Sequence, residues 1–115
     1  MKPYFVFVDG PTFGNADRVQ EALSKLRKRI PEGCEFFLLR IQGGGAGMHA
    51  NWWATGMGLP ICHLPAKNDD VAGAIAELAN VFKIDAAVLF RTKIDLDDRV
   101  ERALDEEFVK TYIVE

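Results

Sequence analysis

Two kinds of hydrophobic pattern alternate along the chain. Runs rich in apolar residues at Tyr4 to Val8, Phe36 to Ile41, Pro60 to Leu64, Ala86 to Phe90 and Val109 to Val114 read as strands. The first has the continuous β-rich character of a strand buried on both faces. Between the runs, apolar residues recur at helical spacing. Val19, Leu23, Leu26 and Ile30 form one stripe, Val71, Ile75, Leu78 and Phe82 a second, and Leu96, Val100, Leu104 and Phe108 a third. A shorter helix is predicted over Ala46 to Met57, closed by Gly56 and Gly58. Asn15 or Asp17, then Asn68, Asp69 or Asp70, then Asp95 or Asp97 are placed to cap the three striped helices. Pro31-Glu32-Gly33 is expected to end the first of these.

Five strands alternating with four helices predict an α/β, three-layer Rossmann-like domain. Its parallel sheet should have the order 3-2-1-4-5, with helices on both faces. Crossovers should be right-handed. A length of 115 residues suits one domain over residues 1–115. In such sheets ligands bind outside the carboxyl ends of the strands, at the switch point between strands 1 and 4. Three loops are expected to converge there: Asp9 to Asn15, Gln42 to His49, and Arg91 to Asp95.

The second loop, Gly43-Gly44-Gly45-Ala46-Gly47-Met48, runs from a strand into a helix. Free amides at a helix start and close backbone approach at glycine suit a phosphate. The same run also serves as a plain turn. No Gly-Lys-Ser/Thr follows, so it is not a P-loop. In the first loop Gly10, Thr12 and Phe13 offer a tight turn, a hydroxyl and a ring. The ring either packs under the turn or stacks on a nucleobase. In the third, Arg91, Thr92 and Lys93 offer two cations and a hydroxyl to an anion. The basic residues of the first helix (Arg18, Lys25, Arg27, Lys28, Arg29) read as a solvated face.

Composition narrows the partners. A net charge of −3 disfavours a broad nucleic-acid footprint. No apolar run approaches the roughly 20 residues of a membrane span, and the apolar N-terminus reads as a first strand rather than a leader. Two cysteines without ligand spacing, Cys34 and Cys62, predict reduced thiols, no metal site and a cytoplasmic protein. Asp9, His49 and Asp95 are the weak catalytic candidates, without partners at diagnostic spacing. Trp52, Trp53 and Met57 are interface candidates. Adjacent tryptophans on a helix point about 100° apart, so one should pack on the sheet and the other face outward. A homo-oligomer, in its simplest form a dimer, is expected through this helix.

Three segments resemble the SLOG superfamily, the Rossmann-like group of YspA-like proteins and LOG phosphoribohydrolases once called lysine decarboxylases. The first is Phe7-Val8-Asp9-Gly10-Pro11-Thr12-Phe13 with Arg18-Val19, Ala22-Leu23 and Leu26. The second is Gly43-Gly44-Gly45-Ala46-Gly47 with Ala50, Trp53-Ala54 and Gly58-Leu59-Pro60. The third is Asp85-Ala86-Ala87-Val88-Leu89-Phe90 with Asp98, Val100 and Arg102-Ala103. The resemblance implies the fold and a nucleotide-like ligand. The family's first-loop arginine falls at Pro11, and the acid of its second loop is missing. Its Pro-Gly-Gly-x-Gly-Thr loop is replaced by Arg91-Thr92-Lys93-Ile94-Asp95-Leu96, and its catalytic glutamate falls near Asp98 or Arg99.

The reading is therefore a binding domain for a nucleotide or nucleotide-derived ligand, acting as sensor, carrier or sequestering protein, with no cofactor assigned. The alternatives are a nucleoside-monophosphate phosphoribohydrolase or related N-glycosidase, and an interaction module with a degenerate pocket.

Overall fold

The computed structural model describes residues 1–41, 44–94 and 97–115. Its strands are β1 (Lys2–Asp9), β2 (Cys34–Arg40), β3 (Ile61–His63), β4 (Ile84–Phe90) and β5 (Thr111–Val114). They form one parallel sheet in the order β3-β2-β1-β4-β5, as predicted. The helices are α1 (Ala16–Arg27), α2 (Gly45–Gly56), α3 (Val71–Val81) and α4 (Arg99–Glu106), and a short 3₁₀ turn, Lys67–Asp69, precedes α3.

The pleat sorts the strand residues into two cores. Val6, Val8, Phe36, Leu38, Val88 and Phe90 face α1 and α2, where they meet Val19, Leu23, Ala50 and Trp53. Phe7, Leu39, Ile41, Ala87 and Leu89 face the opposite way, onto Ile75, Leu78 and Leu104 of α3 and α4. Burial on both faces explains why the central strands read as continuous apolar runs rather than alternating ones. Local signals set the helix starts. The Asn15 side chain accepts from the Arg18 amide at 3.1 Å, and that of Asp70 from the Gly73 amide at 3.0 Å.

The helix ends depart from the periodicity. Ile30 and Phe82 lie past the ends of α1 and α3, yet both still pack on the cores. Phe108 does not. α4 stops at Glu106, and Phe108 takes a positive φ of 58° with its ring 96% exposed. A four-residue apolar repeat outlived the helix that was to carry it. The basic residues of α1 are solvated, as expected. No helix among the described residues is long and apolar enough to cross a membrane.

Candidate functional site

At the carboxyl edge of the sheet β1 ends on Asp9, whose side chain turns to the α3/α4 face. It is 3% exposed, and its Oδ1 is buried without a hydrogen-bond partner. Desolvation raises the carboxyl to about 6. The nearby Asp97 charge pushes the same way, while a hydrogen bond from the Gly10 backbone opposes it. Asp9 lines a cleft of about 170 Å³ together with Gly10, Val71, Leu89, Phe90 and Val100. A cavity of about 150 Å³ admits one benzene-sized ring, so this cleft takes a ring and not a whole nucleotide. At its rim Arg99 bonds Asp97 at 2.8 Å and Asp69 at 3.0 Å, tying the start of α4 to the turn before α3. Hydrogen bonds from Arg99 hold the Asp97 carboxyl down at about 2. Arg91 also lines the cleft, and its guanidinium meets Glu101 at 2.6 Å.

The glycine loop lies against the first loop rather than around open space. Ala46 donates its amide to the Gly10 carbonyl at 2.8 Å, and Phe13 donates to the same oxygen at 3.1 Å. Gly45 has φ +60°. A Cβ there would overlap the Gly10 carbonyl oxygen and stand 2.7 Å from that of Pro11. A Cβ on Gly10 would lie 2.6 Å from the Phe90 carbonyl oxygen and 2.9 Å from Ala46 Cβ. These two glycines let three chain segments touch backbone to backbone, and one of the amides expected to meet a phosphate is already bonded. Gly44 differs, since open space surrounds its Cβ position. Gly47 is buried inside α2 and Met48 is half-buried. Gly43 and Asp95 lie outside the described residues.

Phe13 is buried and packs on Phe90, ring centroids 5.3 Å apart, so its ring belongs to the core. Thr12 and Lys93 are exposed, and Thr92 is half-buried. His49 is half-buried, with Nδ1 lacking a partner, and stands edge-on to Trp52 at 5.6 Å. Trp53 is 6% exposed, packed T-shaped on Phe36 and donating its indole N–H to Ser24 at 3.2 Å. Of the interface candidates only Trp52, 60% exposed, and Met57 present surface. Among the described residues no group of three or more His, Cys, Asp or Glu is placed to hold a metal ion.

Two features escaped the sequence reading. One is the Arg99 clamp on Asp97 and Asp69, which joins residues 30 apart and leaves no periodic trace. The other is Arg40, a buried arginine at the end of β2 that bonds His63. Its signal was available: a cation closes the apolar run that feeds the glycine loop.

No family model matches this chain, and no curated protein matches it. Among solved structures, a universal stress protein from Archaeoglobus fulgidus aligns with a TM-score of 0.58 at 17% identity, covering 100% of this chain and 94% of the other. That likeness overturns the assignment to the SLOG superfamily and, with it, the LOG-like and lysine decarboxylase-like labels. Two of the glycines that carried the assignment, Gly10 and Gly45, are explained by close backbone packing among the first loop, the start of α2 and Phe90. What the chain shares with the universal stress protein is the fold: a five-stranded parallel sheet in the order 3-2-1-4-5 between two helical layers.

Proposed function

We propose that the chain binds a nucleotide or nucleotide-derived small molecule at the carboxyl edge of its sheet, with one ring or sugar in the Asp9 cleft. The observation that carries this reading is the unpartnered, buried Oδ1 of Asp9, which lines a ring-sized cleft at the switch point. A carboxylate accepts hydrogen bonds from an exocyclic amino group or a sugar hydroxyl. Val71, Leu89 and Val100 offer apolar contact to a ring, and Arg91 and Arg99 stand nearby for an anionic group.

Calorimetry with mono-, di- and cyclic nucleotides and ADP-ribose derivatives tests the reading. A ligand should bind the wild type and lose at least about tenfold in affinity in Asp9→Ala, since a hydrogen bond to a charged group contributes about 1.5–3 kcal/mol. Binding should also weaken as pH falls through about 6, where Asp9 takes up a proton. Absence of binding by every member of the panel at millimolar concentration would sink the proposal.

A carboxyl near 6 is also half-ionised close to neutrality, as an acid–base group needs to be. Release of free base from a bound nucleotide, lost in Asp9→Ala, would add N-glycosidic catalysis to binding. Trp52 on α2 and Met57 just past its end remain the surface proposed for a second copy of the chain. Sedimentation should show a dimer that Trp52→Ala dissociates, and a wild-type monomer at high concentration would remove this part.

A further inference from the structure

Arg40 closes β2, His63 closes β3, and the two are register partners. The pleat turns both toward the α1/α2 face, away from the Asp9 cleft: Leu38 and Ile61, in the same phase, pack in that core. Arg40 is only 9% exposed. One guanidinium nitrogen reaches His63 Nδ1 at 3.1 Å. Its Nε and other terminal nitrogen are buried without a partner. No carboxylate among the described residues pairs with it, and burial alone pulls the guanidinium below its ordinary range.

An arginine in this state is chemically incomplete. It carries five N–H donors and no acceptor, and it stays charged in proteins. A buried acid can escape by taking up a proton, whereas Arg40 has no such route. The missing partner must be an acceptor, and the planar fork of an arginine matches two oxygens of one oxyanion. The location agrees, because Arg40 and His63 both stand at carboxyl ends of strands, where ligands enter sheets of this kind.

We infer that Arg40 is the anchor of a subsite for a phosphate-like oxyanion, with His63 as the partner that the anion displaces. To accept from Arg40, the imidazole keeps its Nδ1 lone pair and carries its proton on Nε2. The exposed ring holds one guanidinium nitrogen. It swings aside when the anion enters. The inference stands without the reading of the Asp9 cleft. Free inorganic phosphate and the phosphate of a nucleotide share the required chemistry, and the test separates them.

The measurement is an inorganic phosphate titration of ¹⁵N-arginine-labelled protein, with chloride at matched ionic strength as control. The Arg40 Nε–H resonance should shift and saturate at millimolar phosphate and stay still in chloride. Phosphate should raise the unfolding temperature of the wild type. Arg40→Met should unfold no lower than the wild type without phosphate, because an apolar side chain replaces an unpaired buried charge. It should lose the phosphate-dependent rise. Arg40→Lys, which keeps charge but not the fork, should bind phosphate at least tenfold more weakly. His63→Ala should bind it no more weakly than the wild type.

A nucleoside monophosphate tested in parallel assigns the source. Equal affinity for phosphate and monophosphate marks a free-anion site, and tighter monophosphate binding marks the phosphate end of a larger ligand. An Arg40 resonance unmoved by either probe overturns the inference. So does a phosphate-dependent rise that survives in Arg40→Met, and so does weaker phosphate binding in His63→Ala.

Discussion

Gly45→Ala should unfold roughly 10–15 °C below the wild type. Two costs combine at this position. A side chain at φ +60° costs about 1–2 kcal/mol. The new methyl also overlaps the Gly10 carbonyl oxygen and crowds that of Pro11, and overpacking of this kind costs about 1–3 kcal/mol. Neither oxygen belongs to a side chain that can rotate away, so the β1 turn or the start of α2 must move. That breaks the Ala46 to Gly10 hydrogen bond. A total near 3 kcal/mol converts at about 4 °C per kcal/mol for a domain of this size. Gly44→Ala, one residue earlier, is the control. Its backbone is extended, with φ −138°, and open space surrounds its Cβ position, so it should stay within about 0.5 kcal/mol of the wild type. A Gly45→Ala protein melting beside Gly44→Ala would show that the glycine is not required for packing.

Asp9→Asn should stabilise the protein at neutral pH, by about 2–3 kcal/mol, and the gain should vanish in acid. Burial lifts the Asp9 carboxyl from 3.8 to about 6, and each tenfold change in a group's proton affinity between the folded and unfolded chain is worth about 1.4 kcal/mol. The sign is opposite to that of a salt-bridged aspartate. Between about pH 4 and 6 the folded protein holds a proton on Asp9 that the unfolded chain has released, so this group's contribution falls as pH rises through that window. It then levels off above the window. Urea unfolding of both proteins from pH 4 to 7.5 measures the difference. It should be near zero at the acid end and widen to its plateau by pH 7. A difference that is flat with pH would mean that Asp9 is ionised in the fold at no cost. A group that lowers stability in this way, at the switch point of the sheet, agrees with the binding role proposed for Asp9.

The sheet order was legible because its cause is local and repetitive. Apolar runs buried on both faces and striped helices between them allow few topologies once crossovers are right-handed. Asn15 and Asp70 announced their helices through the amides they cap. The glycine loop was harder, because a glycine that admits a phosphate and a glycine that admits a carbonyl oxygen are the same letter. At Gly45 the carbonyl oxygens are those of Gly10 and Pro11, residues 35 and 34 positions earlier, and no local pattern reports them. The family resemblance leaned on those letters among its three segments, and the likeness to the universal stress protein overturned it. Phe108 misled for a simpler reason: its spacing fits a helix that ends two residues before it. Arg40 was passed over because a charge at the end of an apolar strand ordinarily reaches water, and only its pairing with His63 shows that this one does not.

One consequence of the pleat concerns the two orphan charges. Phe7 pairs with Leu39, so Arg40 stands one residue beyond that pair and Asp9 two. An anion and a cation on neighbouring strands, nearly level with each other, would ordinarily neutralise one another. Alternation sends Asp9 toward α3 and α4 and Arg40 toward α1 and α2, and the sheet acts as an insulator between them. The edge is thereby polarised, acceptor on one face and donors on the other. A molecule laid across it would be told which way round to lie before any contact specific to its chemistry is made.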